Sequence, residues 1–126
     1  MTDRKLIPLS PAETEILQII WKLGQGTVGQ VLDRLPGQRD IAYATVQTLL
    51  RRLEKKGYLT HRSKGKAHTF HAVVGKDRVL KSAVNGFLDR LFGGDAVPLV
   101  QYLAENRHIS AGDIEELKTL LDKPKP

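Results

Sequence analysis

The 126-residue sequence contains no cysteine. That absence removes disulfide frameworks, thiol nucleophiles and thiolate metal sites, copper-thiolate sensing among them, and it suits a reducing compartment. Aromatic residues are scarce at 6%, which weighs against a ring-lined ligand pocket. No apolar run approaches a membrane span, and the opening from Met1 to Lys5 leads into no continuous apolar segment of the kind that heads a secretory signal. A cytoplasmic protein without direct membrane binding is expected. The glycines fall at helix ends and joints, with no phosphate-loop spacing.

What is present suffices for a core, since 40% of residues are apolar, in one ordinary domain or a small domain with an appendage. The formal charge of +6 is unevenly spread, with 12 Lys and Arg against 6 Asp and Glu in residues 1–75, and 8 against 8 thereafter. Between Arg51 and Lys66 there are seven cations and one acid, Glu54. Such a density favours a polyanion through counterion release, although a charge run alone is equally a solvated surface.

The stretch from Asp40 to Gly57 organises the rest. Val46, Leu49, Leu50 and Leu53 recur at i, i+3, i+4, i+7 and predict a helical stripe facing a core. Ala44, Thr48, Arg51 and Lys55 fall opposite, flanked by Thr45, Gln47 and Arg52, and no acid lies among them. Short side chains near base edges and long cations on phosphates suit a major groove, so this helix reads as a recognition helix.

Ser10-Pro11-Ala12-Glu13 is a capping box with proline at the first helical position, opening a helix to about Leu23 that carries Ile16, Leu17, Ile20 and Leu23, with Trp21 at its margin. Thr27 to Gln30 is a second such box, before Val28, Val31, Leu32 and Leu35, and Pro36-Gly37 ends that helix. After Gly57, Tyr58 to Arg62 and Ala67 to Val73 bracket a Ser63-Lys64-Gly65-Lys66 turn, a hairpin with a cationic tip. Three helices followed by this hairpin make a winged helix-turn-helix, with Lys64 and Lys66 as phosphate clamps; lysine at a hairpin end is also a common way to keep a strand edge soluble.

Beyond a joint at Val74 to Lys76, a helix from Asp77 to Phe92 carries Leu80, Val84, Phe87, Leu88 and Leu91. Asp95 caps a short helix with Leu99, Val100 and Leu103, and Ser110 to Asp113 caps a last one with Ile114, Leu117, Leu120 and Leu121. About fifty residues enclose too little volume to bury three apolar stripes alone, so the segment packs either on the winged domain or on a copy of itself, with a two-fold dimer the favoured expectation. The expected fold class is mainly α with a small β-hairpin: a winged helix-turn-helix domain over residues 1–74, a three-helix dimerisation segment over 75–122 and a disordered tail over 123–126.

His61, His68 and His71 share the hairpin, but His68 and His71 fall on opposite strand faces without Cys or paired carboxylates, so no metal site is expected; the Ser and Thr that a catalytic set would need already serve caps or turns, so neither catalysis nor a cofactor is expected.

Leu9 to Glu13 with Glu15 to Leu17 and Ile20-Trp21, Thr45 to Leu53 with Lys55 to Gly57, Gly65 to His68 with Phe70, and Leu99-Val100, Leu103 and Ser110 to Leu117 together resemble the penicillinase repressor (BlaI/MecI) family. The resemblance implies a homodimeric repressor on double-stranded, pseudo-palindromic operator DNA, with the last three helices interlocked between protomers. It also implies de-repression by a membrane sensor-protease that responds to a cell-envelope or antibiotic signal. The founding members' Asn-Phe cleavage pair corresponds to Gln101-Tyr102. Ile41-Ala42 and Ala44 stand where those members have Trp-Ser and Lys, so their operator sequence does not transfer.

Tyr43, Thr45, Gln47, Thr48, Arg51, Arg52, Lys55, Arg62, Lys64 and Lys66 are therefore the expected DNA-binding residues. Leu80, Val84, Phe87, Leu88, Leu91, Leu99, Leu103, Leu117 and Leu121 are the expected dimerisation residues. A protein-interaction module and a small-molecule-responsive regulator are the alternatives.

Overall fold

The protein's structure, a computed structural model, describes residues 6–36 and 42–122. Met1 to Lys5, the Gly37 half of the second helix stop, Asp40 and Ile41 at the head of the recognition stretch, and the expected tail after Asp122 lie outside the described residues. The described chain runs α1 (Pro11–Leu23), β1 (Gln25–Gly26), α2 (Val28–Arg34), α3 (Tyr43–Lys55), β2 (Leu59–Lys64), β3 (Ala67–Ala72), α4 (Lys76–Phe92), α5 (Ala96–Glu105) and α6 (Ala111–Asp122). It divides into two compact units, residues 1–82 and 83–126.

Both expected capping boxes close in the first unit. Ser10 Oγ accepts from Glu13 N at 3.1 Å while Ser10 N donates to Glu13 Oε1 at 2.8 Å, and Thr27 and Gln30 repeat the exchange at α2. These bonds satisfy amides that the first helical turn leaves open. Ile16, Leu17 and Ile20 of α1, Val31 of α2 and Val46, Leu50 and Leu53 of α3 pack into one core, which Tyr58, Leu59, Phe70 and Val74 close from the hairpin side. The α3 stripe is thus buried along its whole length, so its outward face is set by hydrophobic packing.

The sheet has three antiparallel strands in the order β1-β3-β2, one more than the hairpin read from the sequence. Gln25 pairs with His71 and Gly26 with Phe70. β2 also extends to Lys64, which pairs with Ala67. Only Gly65 and Lys66 remain as the turn, and Gly65 has φ +65°, the left-handed conformation that a tight hairpin turn takes at its first central position. Gly57, at φ +91°, ends α3 and turns the chain into β2.

Long-range bonds lock the unit. Trp21 Nε1 donates to Val74 O at 3.1 Å, and Tyr58 Oη donates to Ile7 O at 2.5 Å. Burial, and then the negative charge of Glu13, push the Tyr58 phenol above its ordinary range.

In the second unit, Asp95 Oδ1 accepts from Val97 N at 3.0 Å, and Ser110 and Asp113 exchange capping bonds of 2.8 and 3.0 Å. Hydrogen bonding from the Ser110 backbone amide, and then from its hydroxyl, holds the Asp113 carboxyl below its ordinary range. No described residue after Val74 is buried. Among the described residues, no helix is long and apolar enough to cross a membrane.

Candidate nucleic-acid interface

The α3 surface follows from its buried stripe. Thr45, Thr48, Arg51, Arg52 and Lys55 are exposed, Gln47 is half-buried and Tyr43 is 55% exposed. At 100° per residue this surface has two flanks. Tyr43, Gln47 and Arg51, each four apart, turn toward the hairpin and line a cleft against it. Thr45, Thr48, Arg52 and Lys55 lie across the crest and the far side. Thr48 Oγ1 donates to Ala44 O at 2.9 Å, which leaves its oxygen lone pairs outward as acceptors.

The hairpin's cations divide between two faces. Leu59 and Phe70 are buried, so alternation places His61, Ser63 and His68 on the side toward α3 and Arg62 and Lys64 on the outer side. Lys66, in phase with His68 and Phe70, lines the cleft opposite Arg51. The structure therefore brings Lys66 together with Tyr43, Gln47 and Arg51, and sets Lys64 beside Arg62 on the other face.

The cleft encloses about 300 Å³, with Val28 and Phe70 at its base. Thr27 and Val28 at the start of α2, and His68 and Phe70 on β3, join the expected residues here. The alternation of Lys66, His68 and Phe70 was the available signal for the strand side, because it puts all three on one face. The α2 contribution had none.

The α3 surface stays free of negative charge toward the cleft because its one acid is engaged elsewhere. Glu54 Oε2 lies 2.6 Å from His61 Nδ1, and the His61 ring stacks on His68 with centroids 4.3 Å apart and planes 13° from parallel. The stack forms because Phe70 pairs with His61 and Ser63 with His68, which makes the two histidines diagonal neighbours on one face. Among the described residues, no group of three or more His, Asp or Glu is placed to hold a metal.

Gln101 and Tyr102 are exposed on α5, where Tyr102 O accepts from Asn106 N at 3.0 Å and from Asn106 Nδ2 at 2.9 Å. Of the expected dimerisation residues, Leu80, Val84, Phe87, Leu91, Leu117 and Leu121 are exposed, and Leu88, Leu99 and Leu103 are partly covered.

Comparison with known proteins places this geometry. The chain is 28% identical over 121 residues to the methicillin resistance regulatory protein MecI of Mammaliicoccus sciuri, covering 96% of this chain and 98% of that one. It is 29% identical over 122 residues to the penicillinase repressor of Bacillus licheniformis, covering 97% and 95%. The solution structure of the DNA-binding domain of the repressor BlaI is similar with a TM-score of 0.51 and 30% identity, over 59% of this chain and 90% of that domain. With the penicillinase repressor family matching residues 9–123, the chain belongs to that family.

Proposed function

We propose that the protein is a homodimeric transcriptional repressor that binds a pseudo-palindromic operator in double-stranded DNA and blocks polymerase by occupying the promoter. The observation that carries this reading is the outward face of α3, free of acidic charge and set beside a cationic wing. Thr45, Thr48 and Arg51 are nearest the bases, while Arg52, Lys55 and the wing cations hold phosphates.

Dimerisation sets the half-sites near one helical turn apart, or a multiple of it. The apolar side chains left exposed on α4, α5 and α6 support a second copy as their cover. De-repression follows a cell-envelope or antibiotic signal through a membrane sensor-protease that cuts at Gln101-Tyr102. The names of the MecI and penicillinase repressor relatives support the antibiotic side of that reading.

Genome-wide selection of DNA fragments by the purified protein at near-physiological salt tests the proposal. A two-fold symmetric motif is expected. Salt-sensitive binding with no motif would replace the repressor with an architectural role.

A further inference from the structure

We propose that the cleft between α3 and the wing binds a small aromatic carboxylate, and that this ligand and the operator exclude each other. The exclusion rests on the operator reading above; the ligand site does not.

The cleft is built from two facing stripes. Tyr43, Gln47 and Arg51 supply one wall from α3, and Lys66 and His68 supply the other from the wing. Its lining contains two cations and no carboxylate, since Glu54 is turned to His61. Anions are therefore favoured. Its base is apolar, made by the buried side chains of Val28 and Phe70.

That combination decides between two anion chemistries. A backbone phosphate of DNA satisfies Arg51 and Lys66 at the rim but has nothing apolar to lay on Val28 and Phe70. A flat aromatic acid does both, with its ring on the base and its carboxylate between guanidinium and ammonium. A volume of about 300 Å³ admits a single-ring acid, at the small end of ligand sites.

The consequence follows from Gln47 and Arg51. Both belong to the helix proposed to enter the major groove, so a ligand held there takes up the groups and the space that DNA needs.

The test titrates the full chain, isotope-labelled, with sodium benzoate and separately with inorganic phosphate at matched ionic strength, following backbone amides by NMR. Benzoate is expected to shift Val28, Gln47 and Lys66 to Phe70 saturably, with Kd on the order of millimolar, while phosphate leaves them in place. Equal shifts with phosphate, or benzoate shifts that never saturate, would overturn the aromatic ligand. His68→Trp, which enlarges a side chain on the wing wall of the cleft, should abolish saturation, and Lys66→Gln should weaken it several-fold. Unchanged saturation in both would put the ligand elsewhere. Duplex displacement, read by fluorescence anisotropy at constant ionic strength, tests exclusion, and a ternary complex overturns it. If no duplex binds while the benzoate shifts persist, the operator reading fails and the ligand site stands.

Discussion

Lys56 Nζ lies 2.6 Å from Glu13 Oε1, joining the C-cap of α3 to the first turn of α1 across 43 positions of sequence. The same ammonium donates to Pro8 O at 3.0 Å. Glu13 is only 2% exposed, and its carboxylate serves the α1 capping box at the same time. Burial works against that charge, but hydrogen bonds from Lys56 and Ser10 and the Lys56 charge together hold the carboxyl below its ordinary range. Lys56 thus spends its charge inside the domain, while Arg52 and Lys55 beside it remain exposed.

Glu13→Gln keeps an N3 side chain able to close the capping box and removes the charge. The expected cost is about 1–3 kcal/mol of stability at neutral pH, measured by urea unfolding. Because the folded carboxyl titrates below the unfolded one, the pair's contribution is present above roughly pH 4.3 and is lost as pH falls through the folded value. The variant should therefore lose less stability than the parent on acidification below about pH 4. Parallel acid limbs for the two proteins would count against this account.

On the proposed reading, Arg52 and Thr48 separate affinity from base choice. Arg52→Ala is expected to weaken binding to all duplexes alike and lower the salt slope by about 1. Thr48→Ala should mainly relax base preference and leave the slope in place. Anisotropy titrations over a salt series on specific and scrambled duplexes measure both quantities. Equal loss of specificity from the two substitutions would contradict the division.

The two wing lysines should differ. Lys66 lines the cleft facing Arg51, whereas Lys64 sits on the hairpin's outer face with Arg62. Lys66→Ala is expected to reduce duplex affinity more than Lys64→Ala, by roughly threefold or more for a lost phosphate contact. Equal effects would mean that the outer face meets DNA as closely as the cleft does.

Leu91 and Leu121 are 66% and 86% exposed, so charge at either disturbs little packing within one protomer. Replacing both with Asp should give a folded monomer in sedimentation, because an unpaired charge buried at a dimer interface costs several kcal/mol. Binding to a two-half-site operator should fall with it. A variant that stays dimeric places the interface on other residues.

Local signals carried much of the fold. The Ser10 and Thr27 boxes placed two helix starts, and the Val46 to Leu53 stripe fixed which side of α3 faces out, because both depend on residues within two turns of each other. β1 was not legible: two residues show no alternation, and Gln25 and Gly26 become a strand only through His71 and Phe70. The His61 and His68 stack and the parting of Lys64 from Lys66 depend on hairpin register, which turns on the turn being two residues long. The Glu13 to Lys56 pair lay outside any local pattern. The cleft needed α2, α3 and β3 to meet, so its chemistry was visible in the sequence only as separate cations and a phenylalanine.

The placement of Gln101 and Tyr102 within α5 bears on timing. Proteases grip extended chain, and here both residues of the proposed cut lie within α5, where the Tyr102 carbonyl accepts from Asn106. The bond becomes available only while that turn is open, so cleavage follows the population of a transient state. On the proposed route, induction would then run at a rate set by how often that turn is open, and a substitution that stiffens α5 away from the cut would slow it.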